Sequence, residues 1–353
     1  MADPAPTFSI VVPTRGRPAK LVACLESLME LAFAPKDFEV IVVDDGSPTV
    51  LDALVQQVAS ARRILLLRKT HGGPASARNA GAKMARGRFL AFTDDDCRVE
   101  PGWLANLEAR LRHGPEQMVG GPVVNKLAQN PYAVASQVIL NTVYAHYNPD
   151  PEDASFFASN NMAMSTELFL KVGGFDAGFP RAAAEDRDIC NRWRHAGHKM
   201  TYAPEAIVYH HHDLTLRGFW RQHFNYGSGA WQYHARRARR RSGRLTRDLM
   251  FHAHLPRLLR PSFSVLEPRQ KIAVGALLAI WQTANAAGFL SQALRTSRRT
   301  KPLHREVDAL REPVNEATPA PEQGYNGDRR SSAEPADSVT VVAGAGPGDS
   351  PHP

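Results

Sequence analysis

The sequence predicts an α/β fold with a mostly parallel sheet flanked by helices. Three observations carry that expectation. Apolar, β-prone runs of about five residues alternate four times with stripes of apolar residues at helical spacing. Each run ends in charged, polar or glycine residues. The chain, at 353 residues, is long enough for one large domain or two. Right-handed crossovers bring the ends of parallel strands to one edge, and ligands of open α/β sheets sit outside those carboxyl ends.

Each element follows from its own residues. Phe8-Ser-Ile-Val-Val-Pro13 is the first strand, followed by the loop Thr14-Arg-Gly-Arg-Pro18. Leu21, Leu25, Leu28 and Leu31 recur at helical spacing. Phe38 to Val43 is the second strand and ends in Asp44-Asp45-Gly46-Ser47; Leu51, Leu54, Val55 and Val58 form the next helical stripe. Ile64 to Leu67 is the third strand, and His71-Gly72-Gly73-Pro74 feeds a helix through Ala85. The fourth strand, Phe89 to Phe92, runs into Asp94-Asp95-Asp96. A helix is expected from Pro101 to about Arg112, one strand over Met118 to Val124, and a helical or loop segment over Pro131 to Tyr147. Ala158 to Met164 reads as a short polar strand, Ile207 to Tyr209 as another, and Leu214 to Tyr233 as a helix that Gly227 and Gly229 interrupt.

Three adjacent aspartates repel one another unless something neutralises them. Carboxylate oxygens are hard ligands, and Mg²⁺ is typically bound by one or two carboxylates plus substrate phosphates. Gly72 and Gly73 permit close backbone approach, and the helix N-terminus that follows favours an anion. Arg78 can pair with phosphate or orient an aspartate, and Asp45 can accept from a base or ribose. The net charge of +8 fits an anionic partner: nucleic acid, a phosphate ligand or a lipid headgroup. Cys24, Cys97 and Cys190 lie too far apart for a metal motif or a disulfide framework and fit a reducing compartment. Met1 to Thr7 has neither a basic region nor an apolar core, so no signal peptide is expected there.

Taken together, Val12-Pro13-Thr14-Arg15, Val43-Asp44-Asp45-Gly46-Ser47, Gly73-Pro-Ala-Ser-Ala-Arg78-Asn79 and Phe92-Thr-Asp94-Asp95-Asp96 resemble the signatures of family 2 glycosyltransferases. The resemblance spans about residues 8–225 and implies the family's GT-A fold, a nucleotide-binding half joined to an acceptor-binding half. It also implies transfer of a sugar from a nucleotide-diphosphate sugar to a hydroxyl acceptor, with inversion and with Mn²⁺ or Mg²⁺. The acceptor is expected to be a glycan, a lipid-linked or another hydroxyl compound, as in cell-surface glycan or polysaccharide synthesis. By the same resemblance Pro13, Thr14, Arg15, Asp44, Asp45, Gly73, Arg78, Asp94 and Asp95 bind the nucleotide-sugar. Asp94 and Asp96 match the first and third positions of the family's metal motif, and His210 matches a histidine that completes the metal site in many relatives. His212 is the alternative ligand, being on the same side of an extended strand. Ala184-Glu185-Asp186 resembles the family's Glu-Asp motif, which makes Asp186 the general base and Glu185 its partner in holding the acceptor. Trp220-Arg221-Gln222-His223-Phe224 departs from the Gln-x-x-Arg-Trp motif of processive relatives, which argues against a long-chain polymerase.

The expected organisation is a flexible segment 1–7, a catalytic domain 8–235 (nucleotide-sugar half 8–100, acceptor half 101–235), basic and apolar helices 236–312, and a disordered tail 313–353 of low apolar content. Arg236, Arg237, Arg239, Arg240 and Arg241 are dense enough to meet an anionic membrane surface. Ile272 to Leu290 has the length of a membrane span, yet its polar residues and basic flanks favour a helix lying in the interface. The enzyme is thus expected on the cytoplasmic side, peripheral on the inner membrane face. No recognisable nucleic-acid module accompanies the arginines, so no nucleic acid is expected.

Overall fold

The computed structural model describes residues 5–59, 64–179, 183–243, 246–300 and the strand 338–342. The elements run β1 (Phe8–Thr14), α1 (Pro18–Met29), β2 (Phe38–Asp44), α2 (Asp52–Val58), β3 (Ile64–Arg68), α3 (Pro74–Met84), β4 (Phe89–Phe92), β5 (Cys97–Val99), α4 (Trp103–His113), β6 (Met118–Gly120), β7 (Val123–Asn125) and α5 (Pro131–Tyr147). Then follow β8 (Met162–Ser165), α6 (Thr166–Lys171), α7 (Glu185–His195), β9 (Met200–Tyr202), β10 (Val208–His210), α8 (Leu216–Arg240), α9 (Thr246–Ser264), α10 (Pro268–Thr300) and β11 (Ser338–Val342).

Among the described residues, eight strands form the central sheet in the order β11-β3-β2-β1-β4-β8-β6-β9. The four strands read from the sequence are its parallel centre: β1 pairs β2 and β4, and β2 pairs β3, all parallel. Successive side chains on these strands alternate between two cores. Ile10, Val12, Val40, Val42 and Leu66 meet Leu21 and Leu25 of α1, Val55 of α2 and Leu107 of α4. Val11, Ile41, Val43, Leu65 and Leu67 meet Ala77 of α3, Phe169 of α6 and Trp193 of α7 on the other face. Burial on both faces explains why these strands read as continuous apolar runs.

Four local expectations change. Met118 to Val124 is two strands in two sheets: β6 joins the central sheet, and β7 joins a small sheet ordered β5-β10-β7. The switch falls at Gly121-Pro122, where proline supplies no ladder donor and a Cβ on Gly121 would lie 2.0 Å from the Ala206 carbonyl. The polar strand over Ala158 to Met164 is instead the apolar β8, inserted antiparallel between β4 and β6, with Asn160 and Asn161 in the turn before it. Gly227 and Gly229 do not interrupt α8. A Cβ on either would meet a backbone carbonyl, that of Asn285 at 2.0 Å or Ala183 at 1.9 Å, so they let α10 and the 183–184 loop pack closely. Finally, Ser338–Val342, inside the expected tail, pairs antiparallel with β3; its β-branched run suits an edge strand. The remainder of 313–353, like residues 1–4, lies outside the described residues.

A third core joins α5, α8, α9 and α10 through Val138, Phe219, Phe251, Val274, Leu277 and Trp281. Helix α8 crosses the expected boundary at 235/236 without a break.

Candidate active site at the strand ends

Because β1 to β4 are parallel, Thr14, Asp44-Asp45, Lys69 and Asp94 to Asp96 share one edge of the sheet. They sit there in different ways. Asp44 is buried and accepts from the Ser47 N–H at 2.8 Å, capping its own turn. Asp45 accepts from the N–H groups of Gly72 (2.9 Å) and Gly73 (2.8 Å), from Lys69 Nζ (3.0 Å), and lies 2.7 Å from His71 Nδ1. Burial opposes its charge, but these bonds, led by the one from Gly72, hold its carboxyl below the ordinary range. Gly73 sits at φ +88°, a conformation that requires glycine, and caps α3 with Pro74 in the first turn.

The Asp94–Asp96 triplet is held by side chains from other elements. Thr14 Oγ1 donates to Asp95 at 2.7 Å, and Arg17 reaches both Asp95 (2.5 Å) and Asp96 (2.9 Å). Lys20 Nζ lies 3.6 Å from Asp96. Asp95 is fully buried, and desolvation pushes its carboxyl up to about 6 against the pull of Arg17. Asp96 moves the other way: burial opposes its charge, yet His210, Arg17 and Lys20 hold its carboxyl well below the ordinary range. Pro13 is buried within β1, and Arg15 is exposed. The loop cation that meets the triplet is therefore Arg17; sequence reasoning passed over it and Lys20, although both lie at the start of the helix behind the first strand.

His210 reaches the triplet through the small sheet. Antiparallel pairing of β10 with β5 sets His210 opposite Cys97, and its Nε2 lies 3.3 Å from Asp96 Oδ1. Candidate ligand atoms of Asp96, Cys97 and His210 all fall within 4.8 Å of one another. Cys97 is fully buried, and burial pushes its thiol well above its ordinary range, so it offers no thiolate. Carboxylate and imidazole remain, a donor pair that suits Mn²⁺. His212 stacks on His210 with ring centroids 4.6 Å apart. Asp94 stands outside this group.

Asp94 is instead bonded to Arg78 Nη2 at 2.6 Å, and Arg78 Nη1 contacts Glu185 at 3.3 Å. Arg78 is buried, and its guanidinium lies over Phe175 at 5.5 Å. One guanidinium thus ties the end of β4 to the start of α7. Asn79 helps: it donates to the Phe175 carbonyl (2.7 Å) and accepts from the Phe175 N–H (2.8 Å). Glu185 is buried and also accepts from the Ala183 N–H at 2.8 Å, so both its oxygens face inward. Ala184 between them is left-handed at φ +86°, a strained conformation for a residue with a Cβ. Asp186 is half-buried and accepts one backbone bond, from Arg187 at 2.7 Å. Desolvation, then the charge of Glu185, pushes its carboxyl up to about 7.

The basic run is engaged internally in good part. Arg236 pairs with Asp176 (2.9 Å), Arg237 with Asp248 (2.5 Å) and Arg240 with the buried Asp188 (2.7 Å). These arginines clamp α8 onto α7, α9 and the loop before α7. The reading of the run as one anionic-partner surface fails for those three positions, because their charge is satisfied within the fold.

Comparison with known proteins agrees with this geometry. Residues 9–173 match the model "Glycosyl transferase family 2", and residues 139–213 match "N-terminal domain of galactosyltransferase". The chain is 30% identical over 228 residues to a pre-mycofactocin glycosyltransferase of Mycobacterium tuberculosis, covering 63% of this chain and 46% of that one. It is 29% identical over 234 residues to a validoxylamine A glucosyltransferase of Streptomyces hygroscopicus, covering 57% and 51%. The chain therefore spans about half the length of these curated relatives. Its fold is similar to that of a mannosyltransferase from Pyrobaculum calidifontis solved with GDP-Man and Mn²⁺, at a TM-score of 0.56, 18% identity, and coverage of 82% and 86%. With four strand ends converging at one edge, a fold similar to that mannosyltransferase, and residues 9–173 matching the family model, this part of the chain is a glycosyl transferase family 2 domain.

Proposed function

We propose that this chain moves a glycosyl group from a nucleotide-diphosphate sugar to a hydroxyl acceptor, with inversion at the anomeric carbon. The observation that carries the reading is the Arg78 bridge. It ties the Asp94 end of β4 to the Glu185-Asp186 start of α7, which supports reading Asp186 as a base close to the polar, cation-rich strand edge. Asp96 and His210 would hold Mn²⁺ or Mg²⁺, and the bound ion would neutralise charge on the departing diphosphate. Arg17 and Lys20, now on the triplet, are the chain's own cations for that diphosphate.

In the proposed step the acceptor hydroxyl oxygen attacks the anomeric carbon, the bond to the diphosphate oxygen breaks, and the hydroxyl proton passes to Asp186. A carboxyl raised to about 7 matches that task near neutral pH. Glu185, bonded to Arg78 and to the Ala183 N–H, stands beside Asp186 as its partner on the acceptor side. Thr14 and Arg17 orient the donor-side carboxylates.

We also propose that the enzyme rests on a membrane surface through α10. That helix has the length and composition to cross a bilayer, but one face packs through Val274, Leu277, Trp281 and Ala284, while Ile272, Leu290 and Leu294 are exposed on it. A helix buried on one side and apolar on the other suits an interface better than a span.

The test is a thermal-shift screen of nucleoside diphosphates and nucleotide-sugars with and without Mn²⁺. A ligand bound only by the folded chain raises its melting temperature by mass action. A Mn²⁺-dependent rise with one nucleotide series is expected; no rise with any would overturn the reading.

A further inference from the structure

The residue that follows the proposed base is caged by side chains from three other helices. Arg187 gives its N–H to Asp186 Oδ1 at 2.7 Å. Its guanidinium is taken up elsewhere: Nη2 donates to Tyr147 Oη of α5 at 2.7 Å and to Asp248 Oδ1 of α9 at 3.0 Å. The ring centroids of Tyr147 and Tyr233 lie 5.3 and 4.9 Å from it, within reach of a cation–π contact. Tyr147 in turn donates its O–H to Asp248 at 2.9 Å, which closes a triangle of bonds. Arg237 of α8 supplies a second guanidinium to the same aspartate.

Asp248 is the centre of this cage. It is buried and accepts from two guanidiniums and a phenol. Burial opposes its charge, but Arg187, with the bonds from Arg237 and Tyr147, holds its carboxyl below the ordinary range. At neutral pH it therefore meets Arg187 as a full counter-charge. Without it, Arg187 would be a cation one residue away from a carboxylate base. An opposite charge that close favours the ionised form, and a guanidinium can also bond the carboxylate outright. A base held that way takes up a proton poorly. The other groups that act on Asp186, or feel its charge, are Glu185 and Cys190 of α7, Arg78 of α3, Tyr144 of α5 and Tyr226 of α8. Burial, ahead of any charge, keeps the two phenols and the thiol protonated.

We infer that Asp248 is a positioning residue for the proposed reaction: it takes up the Arg187 guanidinium, so that Arg187 orders Asp186 through its N–H alone and leaves the rest of that carboxylate to a substrate. The inference rests on reading Asp186 as the base. It adds that α9, a helix outside the strands and loops of the crevice, governs that base. Asp248 acts through Arg187 and not on the reacting atoms. A clamp that merely held α7 in place would cost stability when cut, yet would leave the titration of Asp186 where it is.

The experiment is chemical denaturation of the full chain between pH 4 and 9, in pairs that differ only by Asp186→Asn. The difference within a pair isolates the titration of Asp186 and needs neither donor nor acceptor. Burial, then the charge of Glu185, raises that carboxyl to about 7 in the folded chain. The parent's stability relative to Asp186→Asn should therefore fall as pH rises and level off above about 7. With Asp248→Asn in both members of the pair, it should level off at least about one pH unit lower. With Arg187→Gln added to Asp248→Asn, it should return to about 7 or above. The same levelling-off pH in the parent and Asp248→Asn pairs, or a shift that persists in the double variant, would overturn the inference. Should Asp248→Asn not fold, Arg187→Gln alone carries the test. A nearly unchanged titration supports cancellation of Arg187 by Asp248, and a rise of about one pH unit or more overturns it. A parent pair with no pH dependence would overturn the base assignment first, and this inference with it.

Discussion

Two strand ends in this molecule look alike in sequence and differ in structure. β2 ends in Asp44-Asp45, and β4 runs into Asp94-Asp95-Asp96. Asp44 and Asp45 accept from the backbone N–H groups of Ser47, Gly72 and Gly73, with Lys69 and His71 adding side-chain contacts to Asp45. The triplet is satisfied by Thr14, Arg17, Lys20, Arg78 and His210, all side chains from other elements. Backbone donors cannot leave without unfolding the loop that carries them. Long side chains such as Arg17, 45% exposed, can swing to a ligand and back. The comparison teaches that an acidic pair bonded to backbone shapes a site, whereas one bonded to mobile cations can exchange them for a substrate or a metal.

Asp186 tests this rule at its extreme, because one backbone donor leaves most of its bonding capacity open. Asp186→Asn should lower turnover on the order of 10²–10⁴-fold with donor affinity nearly unchanged. Since the base must be ionised, the parent's turnover should rise with pH through about 7 and level off above it; a flat profile between pH 5 and 9 would remove Asp186 from the role. Asp96→Ala comes next. It should abolish the Mn²⁺-dependent part of donor binding, a loss on the order of 100-fold or more by calorimetry, and unchanged binding would dissolve the metal assignment.

Asp45→Ala should do the reverse. It strands the N–H groups of Gly72 and Gly73 and the Lys69 ammonium, so chemical denaturation should show a loss of about 2–4 kcal/mol. The Mn²⁺-dependent rise in melting temperature should survive in it. If Asp45→Ala is as stable as the parent, the distinction between the two strand ends is broken.

Asp95 sharpens the same distinction through pH. Its carboxyl is raised by burial to about 6, so the folded chain holds a proton that the unfolded chain releases at lower pH. That stabilisation is complete below about pH 4 and is lost as pH rises through about 6. Asp95→Asn cannot ionise, so measured without Mn²⁺ it should gain on the parent by about 2 kcal/mol between pH 4 and 8. A constant difference would show that Asp95 stays charged throughout.

The rule extends to the C-terminal helices, with the smallest effect. Arg236, Arg237 and Arg240 are bonded inside the fold, whereas Ile272, Leu290 and Leu294 are open. Replacing those three apolar residues with Gln should release the chain from anionic liposomes in flotation at little cost in stability. Retention on the liposomes would move the contact elsewhere. Deleting residues 236–312 is a poorer test, because it removes the clamp on α7.

The sequence by itself determined the four parallel strands, the identity of the crevice at their ends, and the acidic positions that face it. Those features are local. Burial on both faces writes itself as an apolar run, and a strand end writes itself as a sudden change to polar residues. What only the tertiary structure decided is who bonds to whom. Nothing in Gly73-Pro-Ala-Ser-Ala-Arg78 says that Arg78 spans Asp94 and Glu185, 16 and 107 residues away. Arg17 and His210 likewise reach the triplet through helix packing and sheet register. Three arginines of the basic run show the same: charge density is visible in sequence, but whether Arg236, Arg237 or Arg240 faces solvent or an aspartate such as the buried Asp188 depends on distant residues that folding brings to it.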